Sequence, residues 1–272
     1  MSRLLLVLLD GLHAAAADTH MGFMAALTGH GRALRWTLDC ALPPLSRPLY
    51  ATLMTGRTPA ELGLFHNADA RLCPVPTLFH QAHSAGCVTA AAAYCWFSEL
   101  CNRAPFDPGR DRLTLDAALP ISHGLFYRRD DYPDEEVFSD AETLRRRCDP
   151  HFLLVHSMNI DHAGHCSGGQ SAAYRQAVRE ADGLLSLWLP RWLAEGYALC
   201  VTADHGMHAD GQHDDLTGDV RRVPLWLLGD AWRAPLDALG RAPRQTDIAR
   251  LCRAALGLEH MAGTSPNGGS QS

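Results

Sequence analysis

Five short apolar runs constrain this chain most: Leu4–Leu9, Cys87–Ala93, Phe152–Ser157, Ala198–Thr202 and Val223–Leu228. They are rich in Val, Leu and Ala and do not alternate with polar residues. A sheet with one wet face alternates; an unbroken apolar run is the pattern of a parallel strand covered on both faces. Helical spacing lies between the runs. From Ser171 to Leu193, the residues Tyr174, Ala177, Val178, Ala181, Leu184 and Leu185 form one stripe. Pro48–Thr55 and Thr246–Leu256 are shorter helical stretches, the latter stopped by Gly257. Strands alternating with helices predict an α/β protein, a three-layer α/β/α sandwich around a mostly parallel central sheet.

The chain has 272 residues, of which 47% are hydrophobic and 20% charged, enough apolar material for one large core and against extended disorder. Residues 1–258 read as a single domain. The stretch 96–147 is polar, holds Pro105, Pro108, Pro120 and Pro133, and carries an acidic run from Asp130 to Glu136. It reads as long loops with short elements, either a lid over one edge of a site or a solvated excursion. Residues 259–272 are rich in Gly, Ser and Asn and are expected to form a disordered tail.

The net charge is −6, so no basic excess holds a nucleic-acid backbone, and a nucleic-acid polymer is not an expected partner. No run approaches the roughly 18–20 apolar residues that span a bilayer, so no membrane partner is expected either. The N-terminal run ends at Asp10, which suits a buried strand better than a signal peptide. Nine cysteines, never spaced as CxxC, fit reduced thiols in a cytoplasm.

Three runs end in ionisable residues. The first is followed by Asp10-Gly11, the third by Asn159-Ile160-Asp161-His162-Ala163-Gly164-His165, and the fourth by Ala203-Asp204-His205-Gly206. Ligands of open α/β sheets bind at the carboxyl ends of strands. Carboxylates converging there repel one another unless a cation neutralises them, and carboxylate with imidazole is a divalent-metal donor set. Taken singly, each fragment is as simply a helix cap or a structural histidine. Ser46, just before the Pro48–Thr55 stretch, is on local sequence a plain N-cap; its alternative is a nucleophile at the positive end of a helix.

Asp10, the segment Pro43-Pro44-Leu45-Ser46-Arg47-Pro48 with Thr55-Gly56, the Asp161-x-x-x-His165 pair, Asp204-His205-Gly206-Met207 and a following His213 occur in the order seen in the alkaline phosphatase superfamily. The chain most resembles its type I phosphodiesterase/nucleotide pyrophosphatase branch, with phosphonoacetate hydrolase as a relative. The resemblance extends from Asp10 to Gln245–Ala249 and implies an alkaline phosphatase-like fold. It implies two divalent ions, zinc or alternatively manganese. Asp161, His165 and His213 would hold one; Asp10, Asp204 and His205 the other, with Ser46 Oγ as an additional ligand. It makes Ser46 the nucleophile and Asn67 a phosphoryl-oxygen contact, although Asn67-Ala68-Asp69 is also good turn chemistry.

The sequence departs from the pattern in places. Ser46 stands where Thr is more frequent, Leu62-Gly63-Leu64 replaces His-Gly-Ile, and His213-Asp214-Asp215 replaces His-Gly-Gly. His208 competes with His213 for the last ligand position. A formylglycine sulfatase carries Arg four residues after its nucleophile, and here that residue is Tyr50. Tyr94, Trp96, Phe97, Phe126 and Tyr127 are candidates to stack on a substrate ring or to be core, with Trp96 and Phe97 the chosen substrate contacts. The resemblance implies an enzyme that hydrolyses phosphodiester or phosphoanhydride bonds of a small-molecule phosphate ester or nucleotide through a phosphoseryl intermediate. A phosphonate hydrolase, a phosphomonoesterase or a metal-binding protein without turnover are the alternatives.

Overall fold

A computed structural model describes residues 2–258; the expected tail at 259–272 lies outside the described residues. Eight strands form one sheet: β1 (Arg3–Leu9), β2 (Leu34–Asp39), β3 (Thr89–Tyr94), β4 (Leu113–Leu115), β5 (His123–Tyr127), β6 (Phe152–Ser157), β7 (Tyr197–Thr202) and β8 (Arg222–Leu228). Their spatial order is β2-β8-β7-β1-β6-β3-β5-β4. The five strands from β7 to β5 run parallel, and helices cover the sheet, so the three-layer α/β sandwich with a mostly parallel sheet is the observed architecture.

The apolar runs locate the central strands because both faces are covered. Leu4 to Leu9 are all fully buried, each contributing about 1.5–3 kcal/mol relative to exposure. β8 corrects the expectation of a fifth parallel strand: it lies antiparallel to β7 and to β2. Burial on both faces makes a strand apolar whichever way it runs. Strand β2 carries a largely exposed or half-buried pattern at the sheet edge, so it has no apolar run to betray it.

The stretch 96–147 also differs from its expected loop-rich character. It contains the helix Trp96–Cys101, strands β4 and β5, and the helix Asp134–Cys148. The second half of the acidic run is the first turn of that helix: Asp134, Glu135 and Glu136 face its positive end, and Arg145, Arg146 and Arg147 its negative end. Val137, Phe138, Ala141 and Leu144 are its buried face. The segment therefore extends the sheet on the β3 side, and the Asp134–Glu136 half of its acidic run is a helix end.

Ser171 caps the long helix Ala172–Ala194 by accepting a hydrogen bond from Tyr174 N, and Tyr174, Ala177, Val178, Ala181 and Leu185 form its buried stripe. The last helical stretch resolves into a 3-10 turn at Gln245–Asp247 and a helix at Ile248–Ala255.

Candidate active site

Strands β7, β1 and β6 are neighbours, with Leu8 opposite Thr202 and Leu9 opposite Ser157. Their carboxyl ends therefore open side by side. Asp10 follows β1 directly, Asp204 lies two residues past β7, and Asp161 lies in the first turn of the helix Asn159–Ser167 that follows β6. Gly11 makes the close approach possible. Its φ of +71° is left-handed, its N–H reaches Asp204 Oδ1 at 3.3 Å, and a Cβ there would stand 2.8 Å from Asp161 Cα.

The serine arrives on the helix Ser46–Thr55. Ser46 is its first residue, not its N-cap; Leu45 holds the cap position and makes no side-chain cap bond. The hydroxyl is thus free of capping, and Oγ sits 3.0 Å from His205 Nε2. Gly56, at φ +77°, ends the helix as the Thr-Gly pair suggests.

Three histidines around the carboxylates share one arrangement. Nδ1 of His205 lies 2.9 Å from Gly206 O, Nδ1 of His213 lies 2.8 Å from Pro44 O, and Nδ1 of His165 lies 2.8 Å from Gly211 O. A carbonyl only accepts, so each Nδ1 carries the proton and each Nε2 offers a lone pair. His205 Nε2 is 3.3 Å from Asp204 Oδ2 and 3.6 Å from Asp10 Oδ1. The His205 and His213 rings stack with centroids 3.8 Å apart.

Two donor groups emerge, each with its ligand atoms within 4.8 Å of one another: Asp10, Asp204 and His205; and Asp161, His205 and His213. The structure therefore gathers Asp10, Asp204, His205 and Ser46 on one side and brings Asp161 together with His213 on the other. His165 stands at the rim, its side chain 41% exposed and its Nε2 3.4 Å from Asp161 Oδ2. His208 is outside the cluster and pairs with Asp210 at 3.0 Å.

The electrostatics fit a cation. Asp10 Oδ1, Asp161 Oδ1 and Asp204 Oδ2 are buried and have no hydrogen-bond partner. A buried carboxylate oxygen left bare costs free energy that a bound ion recovers. Burial pushes the Asp10 carboxyl up to about 7, and burial together with the charge of Asp10 pushes Asp161 and Asp204 well up too. Burial, reinforced by neighbouring His213, pushes His205 down, which keeps it a neutral donor. The residues present suit divalent metal binding.

Asn67 lies beside the serine. Its Oδ1 accepts from Arg47 N at 3.0 Å and its main-chain O from Arg47 Nε at 2.7 Å, so the amide NH2 is the end left for a ligand. The Arg47 guanidinium is buried, pairs with Glu99 at 2.7 Å and lies over the Trp96 ring at 4.5 Å. Trp96 is half-buried with one face taken by that guanidinium. Phe97 corrects the expectation of a substrate contact: it is fully buried, stacked on Tyr50 at 4.6 Å and edge-on to His156 at 5.1 Å, hence core beneath the site. Phe126 is buried as well.

Sequence reasoning missed Tyr50, His156 and Gln245. Tyr50 OH donates to Asp10 Oδ2, and His156 Nε2 lies 3.0 Å from the same oxygen. Gln245 joins two loops by donating to Asp204 O and accepting from Ala41 N. The available signals were slight: Tyr50 falls one helical turn after Ser46, and His156 interrupts an otherwise apolar strand.

The sequence profile of the type I phosphodiesterase / nucleotide pyrophosphatase family matches residues 4–71 and 75–216. The chain belongs to that family. Among known proteins, the chain is 26% identical over 276 residues to the catalytic subunit of human GPI ethanolamine phosphate transferase 2. That match covers 94% of this chain and 26% of the relative, so the chain spans about a quarter of the relative's length. Murine ectonucleotide pyrophosphatase/phosphodiesterase 5 has the same fold at 14% identity, with a TM-score of 0.68 and coverage of 99% of this chain and 98% of that one. TAB5 alkaline phosphatase aligns at 11% identity with a TM-score of 0.59, covering 94% and 97% of the two chains. The chain is thus a member of this family with an alkaline phosphatase-like fold.

Proposed function

We propose that this family member is a two-metal enzyme that cleaves a phosphodiester or phosphoanhydride bond through a phosphoseryl intermediate on Ser46. The observation that carries this reading is the set of bare oxygens on Asp10, Asp161 and Asp204 gathered with His205 and His213, with the Ser46 hydroxyl 3.0 Å from the shared His205 Nε2. Asp10, Asp204 and His205 with Ser46 would hold one ion; Asp161 and His213, with His165 and the shared His205 as candidate partners, the other. When bound, zinc or manganese would neutralise the carboxylates and make serine and water acidic enough to react near neutral pH.

The protein's own groups do the remaining work. Ser46 Oγ passes its proton to solvent water and attacks phosphorus, the P–O bond to the leaving group breaks, and the leaving oxygen departs with its electron pair and takes a proton from water. The Asn67 NH2 donates to a non-bridging oxygen, held in place by the two bonds to Arg47. Water then attacks the phosphoserine, and Ser46 regains its proton. An alcohol in place of that water makes the same site a transferase, a second reading favoured by the ethanolamine phosphate transferase name of the human relative.

A small-molecule phosphate ester is the substrate of this reading. A nucleotide is one candidate, since the murine neighbour has been solved with AMP. Among the described residues no helix is long and apolar enough to cross a membrane. The nine cysteines, never spaced as CxxC, support a reducing compartment such as the cytoplasm, testable by thiol labelling in intact cells.

The test compares hydrolysis of bis-p-nitrophenyl phosphate with that of p-nitrophenyl phosphate in added zinc or manganese. Faster diester cleavage is expected. Adding a short alcohol separates the acceptors: phosphoryl transfer to the alcohol supports the transferase, release to water alone the hydrolase. Bound metal with turnover of neither ester would overturn the enzymatic reading.

A further inference from the structure

We propose that Tyr50 and His156 are positioning residues which commit Asp10 to bind its ion through Oδ1 alone; this rests on the two-ion reading above. All three side chains are fully buried. A carboxylate in that position could chelate one ion through both oxygens, bridge two, or offer a single oxygen. The surroundings decide. Oδ2 meets both Tyr50 OH and His156 Nε2, whereas Oδ1 has no hydrogen-bond partner and faces His205 Nε2 at 3.6 Å.

The donor role of His156 follows from its other nitrogen. Nδ1 lies 3.3 Å from Tyr94 N, a backbone group that can only donate, so Nδ1 is the unprotonated nitrogen and Nε2 carries the hydrogen. Tyr127 OH donates to His156 O at 2.8 Å and fixes the strand behind the ring. The Tyr50 and Phe97 rings meet the imidazole at 4.8 and 5.1 Å and prevent it from turning away. With two N–H or O–H donors on Oδ2, a cation at that oxygen would meet two positive hydrogen ends. At Oδ1 it meets none.

The arrangement also links the ligand to the nucleophile. Ser46 and Tyr50 are four residues apart in the helix Ser46–Thr55, hence on one face. One rigid turn therefore presents Oγ beside His205 and the phenol on Asp10, setting the serine's distance from the ion that Asp10 holds. Tyr50 occupies the position four after the nucleophile, so here that position serves a metal ligand through a neutral hydroxyl.

The experiment measures metal binding by full-length protein stripped with chelator, titrated with zinc against a chromophoric chelator, for wild type, Tyr50→Phe, His156→Leu and His156→Gln. Wild type is expected to take two equivalents. Tyr50→Phe and His156→Leu should weaken one equivalent about 10–100-fold and leave the other unchanged. His156→Gln, which keeps an N–H donor, should recover part of the loss. Two equivalents at wild-type affinity in folded Tyr50→Phe overturn the inference while leaving the two-ion reading intact; a lowered melting temperature alone would mark these residues as merely structural. Tyr50→Phe removes one oxygen and keeps the ring packing, so it decides the matter even where a His156 variant fails to fold. Absence of zinc and manganese binding in the wild type overturns the two-ion reading, and the inference with it.

Discussion

Ser46 Oγ and His205 Nε2 stand 3.0 Å apart, although 159 residues separate them along the chain. The contact joins the first turn of one helix to the loop after β7. Because Gly206 O holds Nδ1 of the same ring, the hydroxyl faces a lone pair and not an N–H. The serine is thereby placed where a cation shared by His205, Asp10 and Asp204 would meet it.

If Ser46 is the nucleophile of the proposed mechanism, replacing it with Ala should lower turnover by at least ~10³-fold. Metal content should stay near wild type, because Asp10, Asp204 and His205 remain. Ser46→Thr should retain measurable activity. Steady-state kinetics with metal analysis of the same samples checks both halves.

Asp204→Asn should separate metal binding from fold stability. With ions present, the variant should bind less metal and melt below the wild type. After chelation the order should reverse, because one of three mutually repelling buried carboxylates has become neutral. Restoring zinc at 100 times its dissociation constant should stabilise the wild type by about 2.7 kcal/mol. Calorimetry of apo and loaded samples gives all four melting temperatures.

The Arg47–Glu99 pair is buried, with side-chain exposures of 3% and 8%. Removing one partner strands the other, so Glu99→Ala should destabilise the protein by about 3–5 kcal/mol in urea. Arg47 also holds Asn67, so the surviving folded enzyme should lose kcat as well. Retention of full kcat in that variant would separate Asn67 from the reaction.

Gly206→Ala should be among the most damaging one-carbon changes. Its Cβ would collide with Asp219 O and stand 2.6 Å from His13 Cβ. The loop carrying His205 must then move, and metal affinity and activity should fall together. Gly22→Ala, where the added carbon meets nothing within 4 Å, is the control.

Asp134 links stability to pH. Burial raises its carboxyl to about 7, from an ordinary value of 3.8. Between those values the folded chain holds a proton that the unfolded chain has released, so stability falls as pH rises from about 4 to 7 and then levels off. Asp134→Asn keeps an acceptor for Asn159 N and removes the titration. It should flatten that slope and raise the urea midpoint at pH 8 more than at pH 4.

The central strands were legible because burial on both faces leaves an unmistakable apolar run, and Phe152–Ser157 is a strand over the predicted span. Direction was not legible: β8 is as apolar as its parallel neighbours and runs the other way. Nor was β2, whose edge position leaves its residues half in water. In the site, Asp10, Asp161, Asp204 and His205 could be named because their residue types and positions after strands carry the chemistry, whereas His213 was named only through the family resemblance. Phe97 could not be told from its neighbour Trp96 until the helix Trp96–Cys101 turned one inward and left the other half-buried. Tyr50 and His156 were hidden because nothing local reveals which carboxylate a buried donor will meet.

The position of β1 carries a consequence for biosynthesis. It is translated before both of its partners in the sheet, β6 and β7, which are completed only at Ser157 and Thr202. Until then a continuous leucine-rich ribbon has no edge to join, and late arrival of long-range partners is the condition that exposes nascent chains to self-association. Holding chaperones should therefore engage this leucine-rich ribbon during translation and release it as β7 is delivered.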